Sequence, residues 1–307
     1  MFDHLPNSVL QMSMIFLSIV IEAFPFVLLG CIISGALFVF LTPERVNKFL
    51  PKNKFASILV GCFLGVFFPS CECGIVPIVN QFVKKDVPEH TAFAFMLTAP
   101  IVNPIVIFST FIAFGNSARY AFLRVIGSIF VAIVIGTWLA YINKKPILKT
   151  SAFQADHDHH HHHGHEEHND SQKKPAFLQQ VKSMLYHSVD EFFDTGRYLM
   201  IGGLLAALMQ TYLPTGVMLT LGSNKILAVL VMLVLAVTMS LCSEADAFIG
   251  SSLLSLFGAG PVVGFLVFGP MVDIKNLLMM NRYFNGRFIV SMVAIIMLCV
   301  TGYALLV

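Results

Sequence analysis

The sequence predicts an all-α integral membrane protein of about eight transmembrane helices, arranged as two four-helix repeats whose helices break near the midplane. Three observations carry that prediction: an apolar composition, long apolar runs, and a set of helix breakers and polar residues that recurs at a nearly constant offset.

Apolar residues make up 57% of the 307 residues, charged residues only 12%, and the mean hydropathy is +0.80, whereas about a quarter of a soluble domain is charged. Such a chain has too little polar surface to face water on all sides. Its charges are clumped between apolar runs of about 20 residues or more, the length that crosses about 30 Å of hydrocarbon as a helix. These runs lie at about 9 to 41, 56 to 83, 91 to 114, 120 to 142, 190 to 213, 226 to 256, 261 to 281 and 286 to 307. The first exceeds a perpendicular span, so it tilts or bends, and Pro25 is the expected kink because it removes a backbone hydrogen bond. Residues 1–7 lack a basic segment and the first run is too long for the apolar core of a leader, so no cleavable signal peptide is expected. A scattered net charge of +2 argues against nucleic acid as a partner.

The repeat is read from position. Adding 172 places Gly30 on Gly202 and Glu22 on Asp194; adding 171 places Pro43 on Pro214, Asn53-Lys54 on Asn224-Lys225 and Cys71 on Cys242. Adding 170 sets Pro100-Ile101-Val102-Asn103 against Pro270-Met271-Val272-Asp273. The expected units are residues 1–143 and 183–307, joined by a polar, His-rich linker at 144–182. An even number of spans per half relates the halves by an axis along the membrane normal, unless one run is a re-entrant hairpin.

The chemistry gathers where the runs break. Phe68-Pro69-Ser70-Cys71-Glu72-Cys73-Gly74 puts a breaker, a hydroxyl, two thiols and a carboxylate into expected hydrocarbon, with Pro77 beyond. Unwound backbone survives at membrane depth only where protein or a water-filled cavity satisfies its polar groups, so this segment should line a path or site. The matching Ser240-Leu241-Cys242-Ser243-Glu244-Ala245-Asp246 adds a thiol and two carboxylates. The third and seventh runs repeat the theme with Pro100-Ile101-Val102-Asn103-Pro104 and Pro270-Met271-Val272-Asp273-Ile274-Lys275-Asn276. Cys71, Glu72, Cys73, Asn103, Cys242, Glu244, Asp246 and Asp273 are therefore expected to converge on one central, substrate-binding cavity. Carboxylates in hydrocarbon need a partner or a substrate, and Glu22 and Asp194, together with Glu244 and Asp246, are candidates for coupling to protons. Cys31, Cys62 and Cys299, alone on apolar stretches, are read as packing residues.

The blocks SCECGIVPI at 70–78, LTAPIVNPIVI at 97–107 and SLCSEADAFI at 240–249 resemble the bacterial predicted-permease family that includes the organoarsenical efflux permeases, the UPF0718-type permeases. The resemblance covers nearly the whole chain apart from the His-rich linker. It implies an eight-span, multi-pass permease of the cytoplasmic membrane, with the Cys pair as a candidate site for thiol-seeking substrates.

Thiolate chemistry narrows the cargo. A Cys-x-Cys pair cannot bring both sulfurs onto one helix face, but both turn inward in an unwound segment, and soft thiolates select zinc, copper(I) or trivalent arsenic over magnesium and calcium. Cys242 raises the thiols to three, which suits a trivalent metalloid; Glu72, Glu244 and Asp246 make a mixed site that suits zinc. A Cys71–Cys73 disulfide is the weaker option, being strained and close to a reducing interior. In the linker, Asp156-His157-Asp158-His159-His160-His161-His162-His163-Gly164-His165-Glu166-Glu167-His168 interleaves imidazoles with carboxylates. Such tracts bind borderline cations such as zinc, nickel or cobalt, so a bound zinc or other divalent metal is expected at these histidines, and no cofactor is otherwise required. The alternative is a polar spacer that captures metal incidentally.

Arg45, Lys48, Lys52 and Lys54, with Arg119 and Arg124, favour one side of the membrane as cytoplasmic, while Lys144, Lys145, Lys149, Lys173 and Lys174 favour the other, leaving the side of the His tract open. The expected function is a cytoplasmic-membrane permease for a thiophilic or borderline metal ion or metalloid compound. The linker favours a divalent metal such as zinc, and organoarsenical or arsenite-type efflux comes next. The alternative is a non-transporting membrane metal sensor or partner subunit. Expected partners are the lipid bilayer, a small inorganic or organometallic substrate, and a membrane or periplasmic protein. No Walker A lysine, H-E-x-x-H helix or G-x-S-x-G elbow is present, so no enzyme is expected.

Overall fold

The computed structural model describes residues 7–40, 50–67, 72–143, 147–148, 177–212 and 225–307. Among these it is helical, apart from loops and one isolated bridge between Leu148 and Phe284. The helices are α1 (Asn7–Phe40), α2 (Lys54–Leu64, extended by a tighter turn at Gly65–Phe67), α3 (Glu72–Lys84), α4 (Glu89–Thr98), α5 (Pro104–Ala113) and α6 (Ala118–Tyr141). There follow α7 (Phe177–Tyr212), α8 (Lys225–Met239), α9 (Ser243–Phe257), α10 (Ala259–Met271), α11 (Ile274–Tyr283) and α12 (Gly286–Leu306). Four described segments are long and apolar enough to cross a membrane: Ser8–Phe40, Ala118–Tyr141, Ala259–Tyr283 and Gly286–Leu306. Large apolar side chains such as Phe108, Phe122, Phe193 and Leu298 point outward, as a lipid-facing surface requires.

The first, fourth and last runs are single helices, and α1 continues through Pro25. The fifth starts at Phe177, well before the run expected from residue 190. Its first turns are too polar for hydropathy to detect, and packing on α1 holds them: a Cβ added to Gly35 would lie 2.7 Å from the Met184 carbonyl oxygen.

The second and sixth expected spans are each divided into two shorter helices. α2 and α4 run side by side in the same direction, with Gly61 against Thr91 and Gly65 against Ala99. α3 and α4 are joined by the tight turn at 85–88, where Asp86 has a φ of 60°, and pack in opposite senses. α2 and α3 therefore run in opposite directions. The second half behaves alike. α8 runs parallel to α10, with Lys225 near Gly260 and Ala236 near Gly269, whereas α9 is antiparallel to α10, with Gly250 near Val262 and Asp246 near Gly269. The reversal falls at 240–242, where Ser240 has a φ of 45°. At 11 to 15 residues per arm, each arm is about 16 to 23 Å long, too short for about 30 Å of hydrocarbon. Each pair of arms forms a helical hairpin, with α4 and α10 packed against both arms.

The third and seventh runs are each divided by a pause. α4 and α5 both run opposite to α6, and Asn103 ends the break between them by accepting from the Ile105 amide at 3.0 Å, capping α5. Asp273 caps α11 in the same way, through the Lys275 amide at 3.1 Å. A short polar cap restarts the helix after each breaker.

The hairpins enter from opposite ends of the bundle. Lys54, at the mouth of the first, donates to the Ala140 carbonyl at 2.8 Å. Lys225, at the mouth of the second, donates to the Leu305 carbonyl at 3.1 Å, and the neighbouring Tyr303 hydroxyl donates to the Leu123 carbonyl at 2.9 Å. Residues 123 and 140 lie about 26 Å apart along α6. The antiparallel pair α1 and α7 closes one side, crossing α3 where Gly30 meets Gly74 and α11 where Gly202 meets Lys275.

Candidate substrate site at two opposed hairpin tips

Both hairpin tips and both helix breaks meet inside the bundle. Glu72, the first residue of α3, is 1% exposed and accepts from the Ser243 hydroxyl, the first residue of α9, at 3.2 Å. Four residues after Cys73, Pro77 has no N–H to give the Cys73 carbonyl, so the first turn of α3 keeps an unused acceptor beside the tip. Cys242 lies at the start of α9 and donates from Sγ to Glu22 Oε1 of α1 at 2.6 Å. Glu22, Glu72 and Cys242, with Ile19, Ala23, Phe26, Cys73 and Lys275, line a narrow crevice of about 10 Å³, room for about one water molecule.

Lys275 supplies the cation. Its ammonium donates to the Ser240 carbonyl at 2.6 Å and pairs with Asp273 Oδ2 at 3.3 Å, while the Ser240 hydroxyl donates to Asp273 Oδ1. Both charges are almost wholly buried, a state tolerated only because each has a partner. The pair locks the second hairpin's tip to the break that precedes α11.

Arg124 locks the same hairpin from the other side. This fully buried guanidinium on α6 donates to the Leu266 carbonyl at 3.1 Å, the Thr110 hydroxyl at 2.8 Å and the Ser243 carbonyl at 2.9 Å. The Leu266 carbonyl is available because Pro270, four residues on, cannot donate to it. Asp246, Glu244 and Glu72 are the acids whose charge acts on Arg124.

The structure thus brings Glu22, Glu72, Cys73 and Cys242 to one crevice, with Asp273 behind Lys275. It places Asp246 against Gly269 and Glu244 half-buried beside it on the first turn of α9, on the Arg124 side. Asn103 is a buried helix cap away from the crevice. Asp194 lies elsewhere, paired with Arg282 at 2.9 Å and with Arg197. Cys71 and the histidines His157, His159, His160, His161, His162, His163, His165 and His168 lie outside the described residues. Among the described residues no group of three His, Cys, Asp or Glu side chains is arranged to hold a metal ion. Sequence reasoning missed Ser240, Ser243 and Lys275 as partners and used Arg124 only as a charge that favours one side of the membrane. Its place within an apolar run was the available signal, since an ionisable residue there marks a functional or structural network.

A family model described as a predicted permease matches residues 8–307. The chain is 54% identical over 306 residues to a protein of Streptococcus mutans serotype c (strain ATCC 700610 / UA159) named as a two-component membrane permease complex subunit, a match covering 100% of this chain and 98% of that one. It is 47% identical over 301 residues to the UPF0718 protein YcgR of Bacillus subtilis (strain 168), covering 98% of each. No solved structure matches. Together with the four apolar crossing helices, these likenesses make the chain a multi-pass membrane protein that belongs to the predicted permease family.

Proposed function

We propose that the chain carries a small thiophilic or borderline metal ion or metalloid compound across the cell membrane, through the junction of its two hairpin tips. The observation that carries this reading is the crevice itself, where the Cys73 and Cys242 thiols meet the Glu22 and Glu72 carboxylates and the Lys275 ammonium. Soft sulfur with hard oxygen suits zinc or a trivalent arsenic species better than magnesium or calcium. The His tract favours a divalent metal, with organoarsenical or arsenite-type efflux next.

The halves are best read as inverted repeats. Each has a long helix, a hairpin, a crossing broken by a capped pause, and a final crossing, in the same order. Asn103 and Asp273 cap alike, and Lys54 and Lys225 tie the two hairpin mouths to the last helix of their own half. With one hairpin replacing a crossing, each half has an odd number of spans, which inverts the second relative to the first. Hairpins entering from opposite faces offer an alternating path: withdrawing either tip opens the crevice to one side. Glu22, bonded to Cys242, is the better-placed coupling acid of the two first considered, because Asp194 is already held by arginines.

A second reading, a non-transporting metal sensor or partner subunit, is favoured by the printed name of the Streptococcus mutans relative as one subunit of a two-component complex. Purified protein in liposomes, offered zinc, cobalt, copper(I), arsenite and methylarsenite and assayed alongside for bound elements, separates the two. Movement of at least one cargo supports the permease. Failure to move any of them, with capture of a second protein, supports the subunit reading.

A further inference from the structure

Between the crevice and the end of the bundle where the first hairpin opens, α1, α3 and α7 enclose a second polar cluster that the substrate site does not use. His187 and Glu191 stand one turn apart on α7, with Nδ1 of the imidazole 3.4 Å from Glu191 Oε2. Ser34 of α1 donates its hydroxyl to the same carboxylate oxygen. From α3, Gln81 places its amide nitrogen 3.1 Å from His187 Nε2. Phe38 of α1 stacks on the imidazole, ring centres 4.3 Å apart. Gln81 is 1% exposed and Glu191 7%, whereas the His187 side chain keeps 20% of its surface open.

The hydrogen bonding suits two charge states. With the imidazole neutral, Nε2 accepts from the Gln81 amide while Nδ1 stands 3.4 Å from the carboxylate without hydrogen-bond geometry, and Gln81 Oε1 is left buried and without a hydrogen-bond partner among the described residues. A proton gained at Nε2 turns that atom into a donor, and a half-turn of the amide then offers it Oε1. Gln81 can therefore satisfy the ring before and after protonation. A buried carboxylate one turn away takes the proton from Nδ1, and the ring returns to neutral.

The surrounding titratable groups come from α1, α3, α7 and α11. On α7 itself stand His187, Asp190 and Asp194. From α1, the Cys31 thiol feels the Glu191 charge. At the end of α3 are Lys84 and Lys85, the latter 4.9 Å over the Phe38 ring. From α11 come Tyr283, which also feels Glu191, and Arg282, held by Asp194.

We propose that His187 and Glu191, with Gln81 and Ser34 as their hydrogen-bond partners, form a proton-binding site. The open edge of His187 is the entry and the Glu191 carboxylate the resting place. Ser34 lies about 18 Å along α1 from Glu22, so α1 and α3 belong to both this cluster and the crevice. A use in driving transport rests on the permease reading; the binding of the proton does not.

Infrared difference spectra of the purified full-length chain in lipid nanodiscs, taken from about pH 4 to about pH 10, report protonated carboxyl groups without any transported cargo. One carboxyl band should vanish in Glu191→Gln, and its midpoint should move by about one pH unit in His187→Gln. Asp190→Asn, which changes an exposed acid on the same helix, should leave it in place. Ser34→Ala should move the same midpoint and serves where Glu191→Gln fails to fold. A band that survives Glu191→Gln, or a midpoint that neither His187→Gln nor Ser34→Ala moves, overturns the proposal. Since no cargo enters the measurement, its failure is distinct from failure of the uptake assay.

Discussion

Ser243, at the tip of the second hairpin, donates its hydroxyl to the Glu72 carboxylate at the tip of the first, across 3.2 Å. The two halves of the chain are thereby joined at the point where hairpins from opposite ends of the bundle meet. Arg124 and Lys275 brace the Ser243 side of the joint through the Ser243 and Ser240 carbonyls, leaving Glu72 as the group that must let go for the tips to part.

Loosening that joint should expose the crevice. Ser243→Ala removes a hydrogen bond to a carboxylate worth about 1.5 kcal/mol, which corresponds to about tenfold in the open population. Alkylation of Cys242 by a membrane-permeant maleimide should accelerate by about that factor, read by mass spectrometry. An unchanged rate would mean that the joint does not gate access.

Thiol chemistry is tested by Cys73→Ser and Cys242→Ser. Both keep size and a hydrogen-bonding group but replace soft sulfur with hard oxygen, so uptake of a thiophilic cargo should fall by about tenfold or more while expression is retained. Full uptake by the double variant would place the cargo path elsewhere.

Arg124→Met should be poorly folded, because it strands the Ser243 and Leu266 carbonyls and leaves Asp246, Glu244 and Glu72 without that cation, a loss of about 3 to 5 kcal/mol. Arg124→Lys should rescue little, since one ammonium cannot span the fork's three acceptors. Thr110→Val should lower stability by about 1.5 kcal/mol. Thermal unfolding midpoints in detergent rank the three, and the order Met, Lys, Val from worst to best is expected.

Close helix crossing predicts a steric effect. A Cβ on Gly30 would sit 2.5 Å from the Gly74 carbonyl oxygen, and the obstacle is backbone, which cannot swing aside. Gly30→Ala should push α1 off α3 and lower yield and thermal midpoint, whereas Gly302→Ala, with open space around it, should behave as the parent.

The His tract is expected to modulate the protein rather than form its path. Replacing residues 156–168 with a Gly/Ser spacer should preserve basal uptake and raise the metal concentration needed for half-maximal response, because flexible imidazoles lose entropy on closing around a metal and so bind modestly. A folded yet inactive deletion would put the tract in the main pathway. No change at any metal concentration would make it an inert spacer.

Hydropathy and residue pattern were enough for the membrane class, the apolar helices α1, α6 and α12, the family, and the breaks at Cys242, Asn103 and Asp273. These are local properties: hydropathy sums over a window, and proline or an acid interrupts a helix wherever it stands. They could not say what a stop does. Ser240 marks a reversal while Asn103 and Asp273 mark pauses between successive helices, and the difference lies in the neighbours, since α4 and α10 pack parallel to one arm of each hairpin and antiparallel to the other. Packing in three dimensions made Arg124 a three-acceptor brace, extended α7 back to Phe177, and parted Asn103 and Asp194 from the crevice that Glu22, Glu72, Cys73 and Cys242 share. Side chains more than a hundred residues apart, such as Glu72 and Ser243, meet only when packing sets the direction of every helix between them, and no window of sequence contains that direction.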